Sequence, residues 1–193
     1  MTKVPHELLT PRLVLRPWRA DDAEQLLPLL EANRAHLEPW IPERVAKPVP
    51  LPMLAERLDR FAAAFDADCE WRYGMFWRED SRVLGELSLF PRDAESRVSF
   101  ADADRVEIGY WLRADMTGIG IATEAARAAL DASAAHPRFT RAEIRCDARN
   151  APSAAVPKRL GFHLAETQPE PGDTANDPPN ELQVWTLSFA SDR

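Results

Sequence analysis

Apolar and polar positions alternate where the chain first becomes regular. In "TPRLVLRPWRADD", Leu13 and Leu15 fall on one side and Val14 and Arg16 on the other, which predicts a strand. Asp21 or Asp22 can cap a helix over "DAEQLLPLLEANRAHL", and Pro28 inside that pattern is expected to kink or split it. "EPWIPERVAKPVPLP" carries five prolines and predicts a loop. "MLAERLDRFAAAFDA" returns to helical spacing, with Leu54, Leu58, Phe61 and Phe65 forming one stripe.

Strand character then takes over. "WRYGMFWRED" and "SRVLGELSLFPRD" predict a hairpin turning around Glu79 to Ser81. "AESRVSFADAD" is a polar excursion, and "RVEIGYWLRAD", rich in β-branched and aromatic residues, is a third strand of this run. A glycine turn leads into a helix from about Gly120 to Ala134. "FTRAEIRCDARN" is a strand, and "APSAAVPKRLGF" is a short helix ending at Gly161. "GFHLAETQ" and "ELQVWTLSF" close the chain as strands around the polar, proline-rich loop "PEPGDTANDPPN". Short turns imply antiparallel pairing early in the chain. The strand from Phe139 to Cys146 follows a crossover helix, so it should run parallel to Arg105 to Leu112. The pattern predicts an α+β fold: a mixed, mostly antiparallel sheet of about seven strands with helices on both faces. It contains no repeat and no long linker, which makes residues 1–193 a single domain.

Composition narrows the function classes. The formal net charge is −7 and no block of Lys and Arg occurs, which argues against a nucleic-acid surface. Cys69 and Cys146 stand alone, with no metal-ligand spacing to any histidine, so no metal site is expected and both read as free buried thiols. The first residues have no signal-peptide character, and no window approaches the ~20 apolar residues of a membrane span. A cytoplasmic protein without a membrane segment is expected.

The glycine turn is the first chemical signal. Gly118 and Gly120 are two of only seven glycines, and both stand at the mouth of one helix, in "RADMTGIGIATEAARAAL". They either make a tight turn or let backbone amides and the helix end hold a phosphate. The residues after Gly118 are not those of a Walker loop, and Thr123 stands where a Rossmann fingerprint needs a third glycine or alanine.

"EIGYWLRADMTGIGIATEAARAAL" followed by "RAEIRCDARNAPSAAVPKRLGF" resembles the GNAT superfamily of acyl-CoA-dependent N-acyltransferases. "TPRLVLRPWRADDAEQLLPLL" and "HLEPWIP" resemble its Rim-type group, which includes ribosomal-protein N-terminal acetyltransferases. The resemblance implies a GNAT fold with the sheet splayed between the strands near 105–112 and 139–147. It implies acetyl-CoA as co-substrate, its pyrophosphate on the amides of Thr117, Gly118, Ile119, Gly120, Ile121 and Ala122, with Thr123 beside them. The pantetheine arm would bond backbone at Trp111, Leu112 and Arg113. Asn150 would bond the same arm, and Ser153 would donate a proton to the departing thiolate. Glu107, on the strand leading into the turn, is implied as general base acting through water, against the reading of an ordinary carboxylate paired with arginine. Glu86 is a second carboxylate on the neighbouring strand. His36 and Trp40 lie where Rim-type relatives build the acceptor pocket.

The sequence departs from the family pattern at Asp115, where Gln or Arg is frequent, at Ile119, often basic, and at Pro157, where many relatives carry a tyrosine acid. The expected reaction is acetyl transfer to a primary amine, either a protein α-amino group or a small amino compound. The alternatives are a non-catalytic acyl-CoA-binding module and a transferase of a longer acyl group such as succinyl. The resemblance leaves a homodimer open.

Overall fold

The computed structural model describes residues 3–170 and 180–189. Its strands are β1 (Leu8–Leu9), β2 (Leu13–Pro17), β3 (Trp71–Trp77), β4 (Val83–Arg92), β5 (Arg105–Leu112), β6 (Arg141–Asp147), β7 (His163–Glu170) and β8 (Asn180–Ser188). They form one sheet in the order β1-β2-β3-β4-β5-β6-β8-β7. Every neighbouring pair is antiparallel except β5 and β6, which run parallel as the crossover helix requires. The eighth strand, beyond the seven expected, is β1, whose two residues are too few to show alternation.

Among the described residues six α-helices accompany the sheet: α1 (Ala23–Ala32), α2 (Arg34–Leu37), α3 (Glu43–Ala46), α4 (Leu51–Asp66), α5 (Ile121–Ala134) and α6 (Ala151–Leu160). Pro28 does not split α1, which runs through it to Asn33; the break falls there, before the single turn of α2. The proline-rich stretch is not wholly irregular, because α3 forms between Pro42 and Pro48. The loop expected near 169–180 lies mostly outside the described residues.

Period-two alternation sends the two faces of the sheet into two cores. Leu15, Met75, Leu87 and Ile108 pack with Ala125 and Ala129 of α5. Trp18, Phe76 and Trp111 pack with Leu30 of α1 and Leu54 and Leu58 of α4. β4 is buried along its whole length because both of its faces are covered.

Two features of β5 set the geometry of the sheet around it. Its register with β6 covers only Arg105↔Arg141, Val106↔Ala142 and Glu107↔Glu143. Beyond Glu107, β6 stays on β8 through Asp147↔Leu182 while β5 stays on β4, so the sheet opens into a gap. The second is a close approach to β4: a Cβ on Gly85 would stand 2.1 Å from the Trp111 carbonyl oxygen, so only glycine fits there.

Candidate active site

The gap between β5 and β6 exposes backbone. Arg113 N–H donates to Leu84 O at 2.9 Å, so by antiparallel alternation the main-chain groups of Arg113 and Trp111 face β4. Those of Tyr110 and Leu112 face the gap, where β6 has already diverged. Of the three residues expected to bond the pantetheine arm through backbone, Leu112 therefore presents its main chain, and Arg113 does not. Trp111 packs its ring in the second core, with the indole Nε1 buried and without a hydrogen-bond partner among the described residues.

The glycine turn comes after a 3-10 turn at Ala114–Met116. Gly118 and Gly120 have φ of +76° and +85°, left-handed conformations that glycine adopts without steric cost. The amides of Gly118, Ile119 and Gly120 find no backbone acceptor among the described residues. Next come the first-turn amides of α5, which a helix leaves without internal acceptors, at the positive end of its dipole. A Cβ on Gly118 would meet nothing within 4 Å, so the approach is open. Thr117 donates its hydroxyl to Ala114 O at 2.8 Å and keeps no proton to offer outward. Asp115 turns to Arg113, accepting from its Nε at 2.6 Å, and this bond holds its carboxyl below the usual carboxylate range.

Turn and gap open into one cavity of ≈ 880 Å³. Thr117, Gly118, Gly120, Ile121, Ala122 and Thr123 line one end. Trp111, Leu112, Asn150, Ser153, His36 and Trp40 line the same cavity, and Asn33 at the start of α2 accepts from Ala114 N–H at 2.8 Å, which ties α2 to the approach to the turn. Ile119 is not on the wall; its side chain is 52% exposed. His36, from α2, has no side-chain partner among the described residues, and Trp40 follows it with an indole 38% exposed.

The two carboxylates expected near the chemistry are not on the wall. Glu107 sits at the closed end of the gap, accepting from Arg92 Nη1 and Arg97 Nη2, each at 2.5 Å. Burial alone would raise its pKa, but the two guanidiniums outweigh that and hold it below its ordinary value. Glu86 accepts from Trp18 Nε1 (2.8 Å), Arg72 Nη1 (2.8 Å) and Ser88 Oγ (3.0 Å) and is 3% exposed. Both are held by guanidinium donors within the protein, which favours the reading of an arginine-paired carboxylate for Glu107 and for Glu86.

Ser153 stands in the first turn of α6. Its N–H is capped by Asn150 Oδ1 at 3.1 Å, so Asn150 is the N-cap and only its amide nitrogen remains for a ligand. Pro157 lies inside α6, which runs from Ala151 to Leu160. A proline has no N–H for the carbonyl four residues back, here Ser153 O. Tyr110, reaching across from β5, donates its hydroxyl to that carbonyl at 3.0 Å, and Ser153 Oγ–H donates to Tyr110 Oη at 3.3 Å. Burial pushes the Tyr110 phenol well above its ordinary value, so it stays protonated. Cys146 is buried beside Ser153 with its thiol raised by burial, whereas Cys69 is exposed, contrary to expectation.

The cavity also has members that no motif signalled. Tyr110 looked like one more aromatic in a strand, and only the fold sets its hydroxyl against α6. Arg127 of α5 and Arg159 of α6 line the wall with no ion pair among the described residues. Glu124 lines it too and is tied to Arg12. Turn amides, rim arginines and a strand edge along an open gap fit a nucleotide pyrophosphate carrying an extended thioester arm. Among the described residues no group of His, Cys, Asp and Glu could hold a metal, and no helix is long and apolar enough to cross a membrane.

Comparison with known proteins agrees with this arrangement. The family model described as Acetyltransferase (GNAT) domain matches residues 12–163. The chain is 28% identical over 151 residues to Probable N-acetyltransferase YjcK of Bacillus subtilis (strain 168), covering 78% of this chain and 80% of that one. Its fold is similar to that of the microcin C7 self-immunity acetyltransferase MccE in complex with acetyl-CoA and AMP, with a TM-score of 0.78 at 18% identity over 93% of both chains. It is similar also to RimL, the ribosomal L7/L12 alpha-N-protein acetyltransferase, in complex with coenzyme A. That match has a TM-score of 0.77 at 19% identity, covering 97% of this chain and 98% of that one.

Proposed function

The chain belongs to the GNAT acetyltransferase family, and from that membership we propose that it moves the acetyl group of acetyl-CoA directly onto a primary amine, with a protein N-terminal α-amino group as acceptor. Enzymes of this family are acetyl-CoA-dependent N-acetyltransferases. The observation that carries the finer reading is the single cavity joining the outward amides of the glycine turn to the Tyr110–Ser153 pair and on to His36. The continuous sheet supports taking residues 1–193 as one domain.

Acetyl-CoA supplies the activated acyl group, and the chain supplies placement. The turn amides from Gly118 to Ala122 hold the pyrophosphate, with Arg127 and Arg159 beside the rest of the nucleotide. The main-chain groups of Tyr110 and Leu112 receive the arm as a sheet edge receives an added strand. Placement of this kind supplies much of the acceleration in a two-substrate transfer.

The amine attacks as the neutral base; its C–N bond forms while the C–S bond breaks. Ser153 Oγ–H turns from Tyr110 to the departing sulfur and stabilises the thiolate. Tyr110 keeps its own proton on Ser153 O and fixes the first turn of α6. Glu107 is not the base in this reading. His36 takes that role, because it lines the cavity and its imidazole has no side-chain partner among the described residues. The RimL neighbour, named for a protein α-amino acceptor, supports the choice of acceptor.

Incubation with acetyl-CoA and a panel of amines, read as thiol release, tests the proposal. Peptides with an unblocked N-terminus should release thiol, and N-blocked peptides that keep a lysine should not. Acetyl-CoA binding without release from any amine would favour the non-catalytic alternative. His36→Gln should lower kcat/KM for the amine about a hundredfold and leave acetyl-CoA affinity unchanged; an unchanged rate removes His36 from the mechanism.

A further inference from the structure

The glycine turn has no basic side chain of its own: position 119 is isoleucine, and Arg113 is spent on Asp115. A cation reaches it from the other end of the chain. Arg12, at the entry to β2, donates from Nη1 to Ile119 O at 3.0 Å. Its Nη2 lies 3.6 Å from where a Cβ on Gly120 would stand and has no partner among the described residues. Across a trans peptide the carbonyl and the following N–H point in opposite directions. A guanidinium holding the Ile119 carbonyl on one side therefore turns the Gly120 N–H to the other, and Gly120 lines the cavity.

Glu124 fixes where that guanidinium stands. Its Oε2 accepts from Arg12 Nε at 2.6 Å, and its Oε1 from Arg12 N–H at 2.9 Å and from the Thr10 hydroxyl at 2.6 Å. Three donors from the β1–β2 turn thus converge on one carboxylate in the first turn of α5. Alone, that carboxylate would repel a phosphate at the same helix end. Paired, it contributes no net charge.

We propose that Arg12 and Glu124 are positioning residues of the pyrophosphate site: Arg12 orients the Gly120 peptide from behind the turn and offsets the charge of Glu124, and Glu124 aims Arg12. The inference rests on the acetyl-CoA reading above. It replaces the expectation that backbone amides and the helix end act alone.

The test compares two acyl donors. Acetyl-CoA carries the phosphates; acetyl-pantetheine carries the same thioester arm without them. Calorimetry should show that Arg12→Gln weakens acetyl-CoA binding about tenfold. The kcat/KM with acetyl-pantetheine should stay within about twofold of wild type. Arg12→Lys keeps the charge but loses the fork that spans Ile119 and Glu124, so its affinity should fall between the two. Glu124→Gln should give the same donor-selective loss and covers the case in which Arg12→Gln does not fold. Equal losses with both donors, or unchanged acetyl-CoA affinity in these variants, would overturn the inference. Failure of the wild-type protein to bind acetyl-CoA would instead overturn the reading on which it rests.

Discussion

The two ends of the β5–β6 gap use charge in opposite ways. At the closed end, Glu107 and Glu143 are enclosed by Arg92, Arg97, Arg105 and Arg145, and every carboxylate oxygen has a guanidinium within 3.5 Å. At the open end the wall is largely apolar, and its polar groups include the turn amides and His36, which have no partners of their own among the described residues. The closed end is saturated and the open end is left for a ligand. A buried carboxylate near a gap is therefore weak evidence for a base; what distinguishes site from scaffold is whether its lone pairs are spoken for.

The largest expected effect breaks the closed end. Glu107→Gln removes the carboxylate facing Arg97 and leaves Arg92 only Glu143 at 3.5 Å, and loss of one partner from a buried pair such as Arg92–Glu107 costs about 3–5 kcal/mol. Denaturant unfolding should show that loss, while the turnover per folded molecule changes little. A large fall in turnover at full stability would return Glu107 to the chemistry.

Acid reaches the same group by titration. Glu107 holds its proton less tightly folded than unfolded, its pKa lying below the ordinary 4.5. Its contribution to stability is complete above that value and is lost as pH falls through the folded pKa. Melting temperature measured downward from pH 6 should drop, with a shallower slope in Glu107→Gln. Equal slopes would mean the pair does not drive acid unfolding.

Gly85→Ala attacks the border between the two ends. Its Cβ would stand 2.1 Å from Trp111 O, so β5 must shift, at about 1–3 kcal/mol, and with it the gap-facing edge at Leu112. Stability and acetyl-CoA affinity should fall together. Ser153→Ala addresses the open end alone: kcat should fall about tenfold, with acetyl-CoA affinity and melting temperature near wild type. The smallest effect concerns the rim. Arg127→Ala or Arg159→Ala should weaken CoA binding about two- to fivefold, and dephospho-CoA, which lacks the 3′-phosphate, should respond less. Equal responses would place these arginines away from that phosphate.

Sequence carried the frame far. Alternation and helical spacing located β2 to β8 and the long helices, and the crossover rule gave the parallel β5–β6 pair. Two glycines before an alanine-rich helix marked the turn because glycine alone takes those backbone angles cheaply. What stayed hidden depends on contacts between distant segments. Glu107 and Glu124 are both acidic residues near a motif; only the fold reveals that one meets Arg92 and Arg97 and the other Arg12. Pro157 read only as a missing tyrosine, because the hydroxyl that bonds the carbonyl it leaves free, that of Tyr110, comes from a distant strand. Pro28 was overestimated for a related reason: tertiary packing of α1 carries it through a proline that local propensity alone would use as a break.

The clip between Arg12 and Glu124 also bears on the order of assembly. It joins residues 112 positions apart, so the chain must close a long loop before the turn at Gly118–Gly120 gains its brace. Such contacts form late relative to local helix and hairpin structure. A partly folded chain could carry an intact α5 and β5 and still present a slack turn. Competence to hold acetyl-CoA would then arrive with the docking of the first strands, making the ligand a reporter of completed folding.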